Sequence, residues 1–259
     1  GTFNPKKNAS LLESKSKGFL CYKDGELVGR IAGLINHKRN ELTGEKYIRF
    51  SRFECIDDIE VFKALLGAVE KFGKDYGMEY MHGPWGFNDT DREGMLTDGF
   101  DKVSTYATNY SYPYFCEKMD ELGFTAESKW LERKFTIPNQ PYEKIVRIAT
   151  KLKSKLSLTD VAETMSVKQI VKKYGYSLFD ALNETYAHLD GYVPIEGKAI
   201  DNVLGQFATI INTRYISILV DENDEVIGFT LFSRLVKQKP EMVKYCKLYN
   251  KEEKNRIDD

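Results

Sequence analysis

Apolar and polar residues follow two rhythms along this chain, and the changes between them mark its elements. Gly18–Tyr22 and Glu26–Leu34 are apolar runs joined by Asp24-Gly25, a pair suited to a two-residue hairpin because both turn positions need positive φ. Lys46–Cys55 alternates with period two, which places Tyr47, Arg49, Ser51, Phe53 and Cys55 on one side and Ile48, Phe50, Arg52 and Glu54 on the other. This predicts a third strand, antiparallel to the second. The rhythm then becomes helical: Ile59, Phe62, Leu65, Leu66, Val69 and Phe72 form one stripe, with Asp57 and Asp58 placed to cap it and Gly77 to end it. A short strand at Met78–His82 follows, so strand, helix and strand make a β-α-β unit with the usual right-handed crossover.

After Gly83-Pro84 the periodicity stops. The stretch to Phe100 is polar, aromatic and rich in glycine, the composition of a loop through which a rigid scaffold presents function. Trp85, Asn88, Asp98, Tyr106 and Tyr110 are candidates to line a pocket for a small polar ligand, the aromatics giving area and the polar groups orientation. The alternative is that Trp85 and the tyrosines pack into the core with their polar atoms satisfied. Asp89, Asp91 and Glu93 lack the spacing of a calcium loop, and no metal is expected.

A short helix over Pro113–Leu122 ends at Gly123-Phe124, and Trp130–Ile137 reads as a strand. Pro138 and Pro141 then mark a change of segment, giving expected domains of 1–137 and 138–259. The second half should hold a cationic helix over Tyr142–Leu152, a strand over Leu156–Val161 and helices over Ser166–Leu189 and Lys198–Asn212. A hairpin of Tyr215–Val220 with Glu225–Phe232 follows, then a charged tail from Lys237 that is helical or frayed. Phe19–Gly29 aligns with Ile218–Gly228 through an acidic turn, a Glu, two branched aliphatics and a Gly. That separation suits two copies of one α/β module.

With 259 residues, 42% of them hydrophobic, the chain has enough apolar surface for a sizeable core. Its 38 Lys and Arg nearly cancel its 39 Asp and Glu, and the two halves on either side of Pro138 are each close to neutral, so no field of one sign argues for nucleic acid or an anionic membrane as a partner. The four cysteines form no C-x-x-C pair and the three histidines are scattered, which argues against structural zinc and for reduced thiols in a cytoplasm. No apolar run has the length of a membrane span.

Several short motifs carry a resemblance. The order hairpin, third strand, long helix, fourth strand, short helix ending Glu121-Leu122-Gly123-Phe124, and final strand resembles the GNAT superfamily of acyl-CoA N-acyltransferases. Gly29-Arg30-Ile31-Ala32, Phe53-Glu54 before Asp57-Asp58, His82-Gly83-Pro84, Gly94–Phe100 and Gly191-Tyr192-Val193-Pro194 resemble a bacterial GNAT-like group with paired modules. The resemblance implies an α/β (α+β) fold with a mixed, mostly antiparallel sheet flanked by helices, and a second, incomplete module. Either the chain is a piece of a longer protein, or one module borrows elements from the other.

The implied activity is transfer of an acetyl or acyl group from acetyl-CoA or another acyl-CoA to a small-molecule amine, with Glu54 in the place of a general base. The phosphate-binding segment of such enzymes falls at Phe53–Glu60, which here has no glycine and four carboxylates, so no phosphate loop is recognised. The tyrosine expected as general acid is replaced by Met119. Two alternatives stand beside this: a non-catalytic GNAT-like protein that binds a ligand or partner, and a Fem-type aminoacyl transferase.

Overall fold

In the computed structural model, residues 11, 14–88, 91–102, 108–133, 138–189, 192–208 and 212–231 are described. They form an α+β protein with six helices, a four-stranded mixed sheet and a three-stranded antiparallel sheet. The described residues divide into two compact units, one of those within 14–87 and 91–122, the other of residues 11 and 88 and those within 123–231.

In the first unit, β1 (Ser14–Lys23) and β2 (Glu26–Asn36) pair antiparallel around Asp24 and Gly25, whose φ values of 53° and 82° suit the right-handed twist of a hairpin. β3 (Tyr47–Cys55) pairs antiparallel with β2, and β4 (Tyr80–His82) pairs parallel with β3. The short helix α1 (His37–Thr43) links β2 to β3, capped by the Asn36 side chain on the Arg39 amide at 3.0 Å. Helix α2 (Ile59–Asp75) is the crossover from β3 to β4, as its stripe predicts. Phe62, Leu65 and Val69 are almost wholly buried against the sheet, each worth about 1.5–3 kcal/mol of apolar burial. α3 (Pro113–Glu121) adds Phe115, whose ring lies 5.1 Å from Phe62 and 5.3 Å from Phe53.

The alternation expected along β3 holds only to Ser51. Arg52 has a φ of 51°, and the register with β2 slips so that Arg52 and Phe53 together oppose Ile31. This bulge turns the rest of the strand over. Phe53 therefore joins Phe50 on the α2 side, 5.0 Å from the Phe62 ring, and Cys55 lies beside Leu65 across Gly29. Tyr47, Arg49 and Ser51 keep the opposite face. The bulge resolves a conflict in the sequence, because strict alternation would have put Phe53 on the same face as the buried Arg49.

In the second unit, α4 (Glu143–Lys155) precedes β5 (Thr159–Asp160), and α5 (Val167–Tyr186) starts at a capping box of Ser166 and Gln169. α6 (Lys198–Phe207), β6 (Ile216–Val220) and β7 (Val226–Leu231) complete it, in a sheet of order β5-β6-β7. The expected strand at 156–161 shrinks to two residues because Val161 begins a 3₁₀ turn capped by Asp160. Ile170 and Tyr174 of α5 pack with Val161, Ala162, Ile218 and Val220, and a second cluster joins Phe179 to Ile195, Ile200 and Val203. Residues 130–133 are exposed and outside any strand. The rest of that expected strand, the tail from Lys237, Gly191, Asp89 and Tyr106 lie outside the described residues.

The two hairpins share one irregularity. Cys21 pairs with Gly29 and Tyr22 with Leu27, leaving Val28 as the extra residue. Leu219 likewise pairs with Gly228 and Val220 with Val226, leaving Ile227. The aligned trios Leu27-Val28-Gly29 and Val226-Ile227-Gly228 thus carry the same bulge in the same place.

Candidate functional site

The sheet face opposite α2 holds a row of buried polar side chains: Ser14, Asn36, Arg49 and Ser51. Such groups are stable away from water only when partnered; Arg49 and Asn36 find partners in the loop that follows β4, and Ser51 accepts from Arg52 at 2.6 Å. The Arg49 guanidinium donates to the Gly86 carbonyl at 3.2 Å and lies 5.0 Å from the Trp85 ring centroid. Asn36 donates from Nδ2 to the Phe87 carbonyl at 3.0 Å. Asp91 accepts from the Phe87 amide at 2.7 Å and pairs with Arg52 at 3.4 Å. A side chain on Gly86 would stand 2.1 Å from Asp91 Cβ, so only glycine lets the loop close on that carboxylate.

His82 sits within this cluster, stacked on Tyr47 at 4.4 Å and edge-on to Trp85 at 4.5 Å. Burial, with the positive charges of Arg49 and Arg39 nearby, pushes its pKa down to about 3. At neutral pH it is an uncharged ring. The cluster therefore works as a clamp that holds Trp85, Gly86, Phe87 and Asp91 against the sheet.

Above the clamp, β3 and β4 part company. Their pairing covers Tyr47–Arg49 against Tyr80–His82, and one further bond joins the Trp85 amide to the Phe50 carbonyl at 2.9 Å. β3 then runs on to Cys55 without a β4 partner. Its last carbonyl accepts from the Tyr114 hydroxyl at 2.8 Å. Burial pushes the Cys55 thiol up, which removes it as a thiolate nucleophile at neutral pH.

The residues singled out from the sequence are spread over this region. Glu54 lies on β3 beyond its pairing with β4, about half exposed, and pairs with its cross-strand neighbour Arg30 at 2.8 Å. Trp85 is 9% exposed and forms part of the clamp. Asn88 is half-buried and Asp98 exposed. Tyr110 is 42% exposed and donates to the Phe100 carbonyl at 3.1 Å. Trp85 and Tyr110 are thus held by different partners. Met119 is buried in the core under α3.

Arg49, Asn36 and Asp91 were not among the candidates. A signal existed for Arg49: it is a cation in the middle of a strand whose neighbours Ile48 and Phe50 are apolar. Its burial depended on the loop folding back, which periodicity does not encode.

At the start of α2, where the dipole and free amides would attract an anion, the place is taken. Asp58 accepts from the Glu60 amide at 2.9 Å and from Lys23 at 2.6 Å. Lys23 is the main reason its carboxyl lies below the ordinary range, with the Glu60 amide second. Among the described residues, no cluster of His, Cys, Asp and Glu could hold a metal ion, and no helix is long and apolar enough to cross a membrane.

A stretch of 108 residues, 42% of this chain, is 31% identical to Protein YghO of Escherichia coli (strain K12). The match covers 28% of that protein's length. No family model matches the chain, and no solved structure matches it.

Proposed function

We propose that the first unit is a GNAT-like N-acyltransferase module that passes an acetyl or other acyl group from an acyl-CoA to a small amine. The observation that carries this reading is the parting of β4 from β3 beyond Arg49 and His82. Where a parallel pair parts, an extended, amide-bearing arm such as that of CoA would lie alongside the longer strand. Further support comes from the antiparallel β1-β2-β3 order, the α2 crossover and α3 packed over the end of β3. Glu54 lies on β3 beyond its pairing with β4 and is the candidate base. Its pairing with Arg30 would have to yield to an incoming amine.

A second reading, a non-catalytic protein that binds a ligand or partner through this fold, is favoured by Asp58. The carboxylate on the first turn of α2 repels phosphate and occupies an amide that would otherwise receive it. In the catalytic reading the donor's phosphates are held elsewhere.

Calorimetric titration with acetyl-CoA and free CoA tests both. Micromolar binding, with turnover of an amine panel lost in Glu54→Gln, supports the transferase. Failure of both donors to bind this chain removes it and leaves the binding-protein reading.

A further inference from the structure

We infer that α4 is a docking helix for an anionic lipid surface. This goes beyond the proposed transferase reading and does not depend on it. Near-neutrality of the whole chain conceals a local excess. α4 carries Lys144, Arg147, Lys151, Lys153 and Lys155 against one carboxylate, Glu143. Lys144, Arg147, Lys151 and Lys155 recur about once per turn and make a basic flank. Ile145, Ile148, Leu152 and Leu156 follow the same spacing one residue later, which sets them about 100° round the helix as an apolar stripe.

That stripe is open to solvent. Ile145 is 62% exposed, Leu152 50% and Leu156 52%, and Tyr142 and Val146 extend it. No residue of α4 is buried. Its one half-buried residue, Lys153, reaches to Glu163 at 3.2 Å. A helix that buries none of its residues while showing an apolar face has little to stabilise it in water, and an exposed apolar patch of this kind marks a contact surface.

Charge decides what the surface meets. The flank calls for negative charge along the whole length of the helix, beside the apolar stripe rather than opposite it. An anionic bilayer supplies both at once: acyl chains beneath the stripe and phosphates level with the cations. A protein groove would need an apolar floor and a row of carboxylates in matching register. With 13 residues α4 is too short to span a bilayer, so it lies in the plane of the interface.

Cosedimentation tests this with the full chain and two vesicle populations, phosphatidylcholine alone and phosphatidylcholine with about a third phosphatidylglycerol. The expected result is binding to the second population only, weakening with salt as screening shortens from about 10 Å at 0.1 M to about 3 Å at 1 M. Arg147→Glu with Lys151→Glu lowers the partition coefficient at least about tenfold. Ile148→Ser with Leu152→Ser lowers it as well, and both variants keep the parent's circular dichroism because all four side chains are exposed. Equal binding to both populations, binding to neither, or retention by the charge-reversed variant overturns the proposal. A concentration-dependent dimer lost in Ile148→Ser with Leu152→Ser also overturns it, since the stripe would then belong to a second copy.

Discussion

In the first unit β2 has β1 on one side and β3 on the other, and a methyl placed on Gly29 would stand 2.7 Å from both Cys55 Cβ and Leu65 Cδ1. In the second, β7 carries the aligned Gly228 with nothing within 4 Å, and among the described residues it pairs only with β6. The two hairpins have the same bulge and similar sequences, and each ends its sheet, but the strand that carries the aligned glycine is inner in the first, with β2 between β1 and β3, and outermost in the second, with β7 beside β6. Phe229 and Leu231 of β7 are 38% and 43% exposed, whereas Ile31 and Ala32 of β2 are buried. Local sequence can therefore specify a hairpin without specifying how it is used. The flanking strand decides that.

The largest expected difference lies in the cores. Phe62→Ala removes a fully buried ring that touches Phe53 and Phe115 and should cost about 3–5 kcal/mol. Phe229→Ala should cost less than about 1 kcal/mol. Urea titrations of the two variants check this, and equal losses would mean that β7 is covered in solution.

Acid should act on the first unit through His82. Its pKa is lowered from 6.5 to about 3, so between those values the unfolded chain binds the proton more readily than the folded one. Stability is full above about pH 6.5 and falls as the pH drops towards 3, by at most about 1.4 kcal/mol per pH unit. His82→Phe, which keeps a ring between Tyr47 and Trp85, should remove most of that slope. An unchanged slope would place the acid sensitivity elsewhere.

The aligned glycines give a closer test. Gly29→Ala forces Cys55 and Leu65 apart and should cost about 1–3 kcal/mol. Gly228→Ala should lie within about 0.5 kcal/mol of the parent, as surface substitutions do. A comparable loss at Gly228 in thermal melts would again show a hidden partner on β7.

The smallest effects concern the ion pairs that tie each hairpin to a helix, Lys23–Asp58 at 2.6 Å and Lys173–Asp224 at 2.5 Å. The lysine is the first cause that holds each carboxyl below its ordinary 3.8. Each pair's contribution is present above that pH and lost as the pH falls through the lowered value. In a carboxyl titration followed by NMR, Lys23→Ala should move Asp58 back towards 3.8 and leave Asp224 where it is.

The sequence by itself determined the elements that rest on local chemistry. Asp24-Gly25 sets the first turn, the Ile59–Phe72 stripe sets α2, and the β-α-β rhythm sets a parallel β3–β4 pair. Even the repeat was present in Glu-Leu-Val-Gly and Glu-Val-Ile-Gly, because a bulge is a local backbone event. Only the tertiary structure decided the rest. Period-two alternation could not show that Arg52 adopts a positive φ and turns Phe53 towards α2, since the gain comes from Phe62 and Phe115, distant in sequence. It could not find the Arg49 clamp, because Gly86, Phe87 and Asp91 reach the sheet only after the chain has passed through α2 and β4. Nor could it separate Gly29 from Gly228. Their local sequences are similar, and what differs is that Cys55 of β3 and Leu65 of α2 close on Gly29 while nothing stands within 4 Å of a methyl on Gly228.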